Sequence, residues 1–178
     1  MQRARTHATL WARWGRWLAH AATPPLAVRR AFPPRVLKSI GAAVELAEAG
    51  HTGEIRFVVE ASLPWAFLRR NASARHRALA LFSDLRIWDT EHNNGVLIYV
   101  ELADRAVEIV ADRGIFGRVD SEVWNRICHD LKEQCKVGRF EAGAVAAVRE
   151  VGELLQREFA LAPGQARVNE LPDRPLAL

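Results

Sequence analysis

The run Val96-Leu97-Ile98-Tyr99-Val100 constrains this chain more than any other stretch. It is apolar at every position, so the alternation of a half-buried strand is missing and both of its faces must be covered. Gly95 bounds it, and its shortness marks a central strand. Beyond Ala103-Asp104 the chain returns through Val107-Glu108-Ile109-Val110, and the two strands are predicted to pair as a hairpin.

A strand buried on both faces needs layers on both sides, and the flanking sequence supplies them. Pro34 opens a helix with Val36, Leu37, Ile40, Val44 and Ala47 on one side and Gly50 as its stop. Glu54 to Glu60 then alternates as a strand, with Ile55, Phe57 and Val59 toward a core and Pro64 beyond its end. Asn71 or Ser73 caps a second helix, in which Ala78, Leu81, Phe82 and Leu85 recur at helical spacing until Trp88. Asp120 or Ser121 caps a third, bearing Val123, Ile127 and Leu131 and closed by Gly138; a fourth runs from Phe140 to Phe159. Gly143 and Gly152 weaken that last helix unless close packing requires them. The expected fold is therefore α/β: a three-layer sandwich with a small mixed sheet flanked by helices, plus an N-terminal amphipathic helix. Its expected divisions are a basic extension and Pro-rich connector over 1–33, the α/β domain over 34–160 and an irregular tail over 161–178.

Charge is distributed unevenly. The chain of 178 residues carries a net +4, yet residues 1–40 hold eight Lys and Arg and no acid, leaving 17 basic against 21 acidic residues elsewhere. In LWARWGRWLAHA, Leu10, Trp11, Trp14, Trp17 and Leu18 share one arc of a helix while Arg13, Arg16 and His20 lie opposite. Two readings stay open: the tryptophans pack back on the domain, or Trp11, Arg13, Trp14, Arg16, Trp17 and Leu18 meet a membrane surface or a protein partner. Nucleic acid is not an expected partner, because the rest of the chain is acidic and no base-reading motif follows. No stretch reaches the roughly 20 apolar residues of a membrane span. Arg29-Arg30 lacks the apolar segment of an export signal, so the expected location is cytoplasmic, peripheral to a membrane if the helix attaches there. Cys128 and Cys135, seven apart on one helix, are about 10 Å apart along its axis, too far for a disulfide, and read as small buried hydrophobes.

The predicted topology gathers one set of polar residues at the sheet edge where the first two strands begin and the third ends. That set is His51, Glu54, Asp89, Glu91, His92, Asn93, Asn94, Asp112 and Arg113.

The segment NNGVLIYVELADRAVEIVADRGI, followed by EVWNRICHDLKEQCKVGRFEAGAVAAVREVGELL, resembles the TPM domain, whose usual pattern is DNGVLLLV, then DDR, then IEVG-x-G. The likeness runs from about Val36 to Phe159. The family includes a plant thylakoid-lumen acid phosphatase, proteins linked to photosystem repair, an accessory subunit of an acetylcholine receptor and many bacterial proteins. The resemblance implies an α/β sandwich, with Ca²⁺ or Mg²⁺ binding in some members and phosphatase activity in a few. Carried over by position, Asn94 and Gly95 match DNG while Asn93 replaces its carboxylate, Val110 stands at the acidic position of IEVG, and Asp112 replaces its glycine. A cation set of Asp89, Glu91, Asn93, Asn94 and Asp112 is one reading; because Asn93 brings an amide where the family has a carboxylate, the other, and the favoured one, is a plain turn with at most weak cation affinity. His51, Glu54 and Arg113 would bind a substrate beside such a cation, His51 or His92 serving as acid or base and Arg113 gripping a phosphate. Neither a P-loop nor a nucleophile elbow is present. The favoured function is a non-catalytic accessory or binding module, at a membrane surface or membrane complex; the alternative is a divalent-cation-dependent phosphatase-like hydrolase.

Overall fold

A computed structural model describes residues 13–178. Helix α1 covers 13–21, α2 Leu26–Ala31 and α3 Pro34–Glu48, followed by strand β1, Glu54–Glu60. Helices α4 (Trp65–Arg69) and α5 (Ala74–Asp84) lead to β2 (Gly95–Glu101) and β3 (Ala106–Ala111). The short α6 (Arg113–Phe116), then α7 (Ser121–Lys136) and α8 (Phe140–Phe159), precede a tail ending in β4 (Leu176–Ala177).

The sheet order is β3-β2-β1-β4. β1 and β2 run parallel with Glu54 opposite Gly95 and Glu60 opposite Glu101, and β2 pairs antiparallel with β3 from Val96–Ala111 to Glu101–Ala106. The apolar run predicted as a central strand is one, buried over its whole length. One face of the sheet carries Ile55, Phe57, Val59, Val96, Ile98 and Val100 against α3, α7 and α8. The other carries Val58, Leu97, Tyr99 and Val110 against Ala74, Ala78 and Leu81 of α5. The sheet flanked by helices on both faces is the fold class the periodicity predicted.

Local chemistry sets the helix ends. Ser73 caps α5 in a reciprocal box with His76, and Asp120 caps α7 by accepting from Glu122 N–H. Gly138 takes φ +76° just beyond α7, the left-handed stop that glycine reaches without a Cβ penalty. Close packing does account for the two weak positions of α8. A Cβ at Gly143 would lie 2.6 Å from Gln134 Cβ on α7, and one at Gly152 would lie 2.7 Å from Ala47 Cβ on α3.

The tail departs from expectation. Although most of 161–178 is irregular, β4 extends the sheet in parallel with β1, pairing Val58 with Leu176 and Val59 with Ala177. The reason lies in the polar half of β1. Arg56, facing the tail, donates to the carbonyls of Pro172 (2.5 Å) and Arg174 (2.6 Å), and Glu54 accepts from the N–H groups of Glu170 and Leu171. Buried charges require such partners, so the strand holds the tail in place. The second helix also ends sooner than predicted, at Asp84, with Arg86 in a left-handed turn at φ 53° ahead of Trp88.

Candidate functional site

The β1 and β2 starts and the β3 end meet at one edge, as the predicted topology required. There the chain is tightly folded. A Cβ on Gly95 would lie 2.0 Å from the Ile87 carbonyl oxygen, and one on Gly114 would lie 2.4 Å from that of Asn93, so neither site has room for a side chain. Gly114 N–H donates to Asn93 O at 2.9 Å, and Asn93 itself sits at φ 52°.

The nine residues gathered from the sequence take different roles at this edge. Asn93 Oδ1 accepts two bonds from the Arg113 guanidinium, at 3.2 and 3.0 Å. Asn94 donates from Nδ2 to Thr52 Oγ1, and Asp112 Oδ1 accepts Arg113 N–H at 2.7 Å, capping α6. The remaining oxygens, Asn94 Oδ1 and Asp112 Oδ2, are buried with no hydrogen-bond partner. Asp89, Glu91 and His92 are exposed. Among the described residues, the carboxylates of Asp89, Glu91 and Asp112 are not brought within metal-sharing distance of one another.

His51 and Glu54 belong instead to a buried cluster with Glu48 and Arg167, two residues that sequence reasoning missed. Glu48 Oε1 accepts Ile55 N–H at 2.6 Å, its Oε2 is paired with Arg167, and the same guanidinium lies 3.4 Å from both Glu54 oxygens. Burial pushes the Glu48 carboxyl up to about 9, with the Glu54 charge adding to it, and burial raises Glu54 as well. Two buried carboxylates facing one guanidinium thus retain a proton between them. His51 accepts Gly53 N–H on Nδ1, and burial lowers its pKa to about 4, so the ring is neutral. Only Glu48's position at the end of its helix, i−6 from Glu54, could have signalled the pair; Arg167 lies in the tail and carries no local pattern.

The opposite edge, at the β2–β3 turn, holds the one group of His, Cys, Asp and Glu among the described residues whose ligand atoms converge: His20, Glu101 and Asp104. Leu63 N–H donates to His20 Nδ1 at 3.1 Å, which leaves the ring proton on Nε2, 3.1 Å from Asp104 Oδ1. Nδ1 is thereby committed within the protein, whereas Nε2 is buried close to that carboxylate without a hydrogen bond of good geometry. Burial would raise Asp104, but hydrogen bonds and charge from Arg16, and then His20, outweigh it and hold the carboxyl below its usual range. Arg16 grips Asp104 at 2.8 to 3.1 Å and donates to Ala72 O at 2.7 Å and Asn71 Oδ1 at 3.3 Å. These contacts latch α1 onto the domain.

That helix lies against the domain in an unexpected orientation. Its polar side, Arg16 and His20, faces the domain, because a buried carboxylate at Glu101 and a half-buried one at Asp104 await it there. Trp17 packs edge-on against Trp65 at 4.4 Å between ring centroids. Trp14 and Leu18 point outward, 65% and 67% exposed, and Arg13 is exposed beside them. Trp11 lies outside the described residues.

The TPM domain profile matches residues 31–154, well over half of the chain. The chain belongs to the TPM domain family. The TPM match begins after α1, so the latch is built from an element outside it. A solved relative, the NMR structure of BA42 protein from the psychrophilic bacterium Bizionia argentinensis, superposes with a TM-score of 0.69 at 29% identity, over 80% of this chain and 92% of that one. No curated protein matches. No helix among the described residues is long and apolar enough to cross a membrane. Cys128 and Cys135 are free and half-buried, and burial pushes both thiols up to about 11, which suits packing rather than reactivity in this TPM domain.

Proposed function

We propose that this TPM-domain protein is a non-catalytic binding module that attaches to an anionic membrane surface through α1. The outward side of α1 carries the reading: a helix that turns Arg16 and His20 to the domain and Trp14 and Leu18 to solvent is presenting apolar surface at a cost. Trp65, 60% exposed, continues that surface through its contact with Trp17. Exposed Arg13, Arg69 and Arg70 supply the positive rim. Trp and Leu at the headgroup boundary with Arg beside them is the chemistry of a helix lying in the plane of a bilayer. The full chain is expected to sediment with vesicles containing equal parts phosphatidylglycerol and phosphatidylcholine, and not with phosphatidylcholine alone. Trp14→Ser with Leu18→Ser should abolish sedimentation. Equal binding by the double variant would end the reading.

The alternative of a cation at the NNG loop draws support from the two buried, unpartnered oxygens, Asn94 Oδ1 and Asp112 Oδ2, which are hard donors suited to Ca²⁺. The Arg113 guanidinium on Asn93 places positive charge on the same loop and opposes it. A Ca²⁺ titration that moves the Asn94 and Asp112 amides, and stops doing so in Asp112→Asn, would favour a cation there. Silence would leave the loop as a cap for α6.

A further inference from the structure

A cavity of about 490 Å³ opens beside the β2–β3 turn, between α2 and α7. Its size lies within the roughly 300–1,000 Å³ of small-molecule sites. The walls are Ala27, Ala31, Leu102, Val107 and Phe140, with the neutral Cys135 thiol among them. The rim is Arg30, Arg105, Lys132 and Lys136. Arg30 and Arg105 are exposed and have no carboxylate within ion-pair distance among the described residues, while Lys136 reaches Glu133 at 2.5 Å on the surface. One carboxylate lines the cavity, that of Glu101, and it is turned into the hairpin, where it accepts the N–H groups of Ala103 at 3.1 Å and Asp104 at 2.6 Å.

Apolar walls under four cations select a ligand with both characters. A small inorganic anion would leave the walls wet, and an uncharged hydrocarbon would leave the rim unpaired. We propose that this cavity binds a single-chain aliphatic carboxylate, its tail against Leu102, Val107 and Phe140 and its head between Arg30 and Arg105. The site is separate from α1's outward surface, so it does not depend on membrane attachment.

The test is an amide NMR titration of the full chain with decanoate, decanol and inorganic phosphate. Decanoate is expected to shift the amides of 100–107 and 135–140 saturably, with decanol and phosphate at least about tenfold weaker, a difference of about 1.4 kcal/mol. Arg30→Gln and Arg105→Gln, both at exposed positions, should each weaken decanoate several-fold while leaving the remaining spectrum unchanged. If phosphate matches decanoate the cavity is a bare anion site, and if decanol matches it the cations play no part; either overturns the proposal. Shifts confined to residues around Trp14 and Leu18, or indifference to both arginine substitutions, would overturn it as well.

Discussion

The two ends of the sheet solve the same problem in opposite ways. Each gathers carboxylates beside a strand end: buried Glu48 and Glu54 at the NNG end, buried Glu101 with half-buried Asp104 at the hairpin end. At the NNG end the tail closes over them with Arg167, and backbone approaches as tight as those of Gly95 and Gly114 leave no slack. At the hairpin end the cover is α1, a helix held by Arg16 and His20 and packed otherwise through Trp17 on Trp65. The first arrangement is a sealed core and the second a latched one. An element held by a few charged contacts can present surface outward, which a sealed core cannot.

Breaking the sealed end should cost the most. Gly95→Ala drives a methyl into the Ile87 carbonyl at a central strand, a backbone contact that no rotamer change relieves. A loss of about 3 kcal/mol or more is expected by urea denaturation. A loss under about 1 kcal/mol would show that the NNG edge yields as readily as the hairpin edge.

The same end should dominate the pH dependence. His51 is neutral in the fold with its pKa near 4, below its ordinary value of 6.5, so the unfolded chain binds more protons between those limits. Stability therefore falls as pH drops from about 6.5 toward 4, by up to ~3 kcal/mol. Glu48 acts in the other direction: its carboxyl holds a proton in the fold up to about 9 but not in the unfolded chain above about 4.5, so its term weakens the fold as pH rises across that range. His51→Gln should flatten the acidic limb of a thermal-denaturation series, and Glu48→Gln the alkaline limb. Unchanged limbs would show that water reaches the cluster.

The difference in legibility between the two ends follows their construction. Val96 to Val100, the reversal at Ala103-Asp104 and the glycines of α8 are local signals that stand in the fold as their spacing implied, and of the paired cap candidates, Asn71 or Ser73 and Asp120 or Ser121, the fold uses Ser73 and Asp120. The NNG loop was legible as a meeting point but not as a set of partners, because Asn93 and Asp112 find their bonds in Arg113, whose side chain could equally have faced solvent. Arg167 and β4 gave no pattern at all: their order is imposed by Arg56 and Glu54, over a hundred residues away in sequence. The facing of α1 was misleading for a related reason. A helical wheel ranks apolar against polar and assumes the apolar side goes inward, whereas the surface waiting for α1 is acidic.

The latch should respond more weakly than the sealed end. Asp104→Asn keeps the shape but removes the charge shared by Arg16 and His20, both of which remain against it, and a cost of about 1–2 kcal/mol is expected. Because neighbouring charges hold the Asp104 carboxyl below its usual range, its contribution is complete above the ordinary carboxylate pKa and is lost as pH falls through the lowered value. Trp17 fluorescence, quenched or shifted by release from Trp65, would report undocking directly. A change in global stability without any change at Trp17 would mean that Asp104 supports the hairpin rather than the helix.

The smallest effect is predicted on the outward side of the same helix. Trp14→Ser and Leu18→Ser remove side chains that are two-thirds exposed and contact little of the domain, so each should alter stability by no more than about 0.5 kcal/mol. Serine lowers helix propensity by a similar few tenths, which sets the floor of the measurement. A loss well beyond that floor would mean that these side chains are covered in solution, and its growth with concentration in the same denaturation experiment would identify a second copy of the chain as the cover. With stability unchanged and vesicle binding lost, the apolar side of α1 would have no structural use, and exposure of an aromatic side chain on a helix already docked through Arg16 and His20 would be explained by attachment.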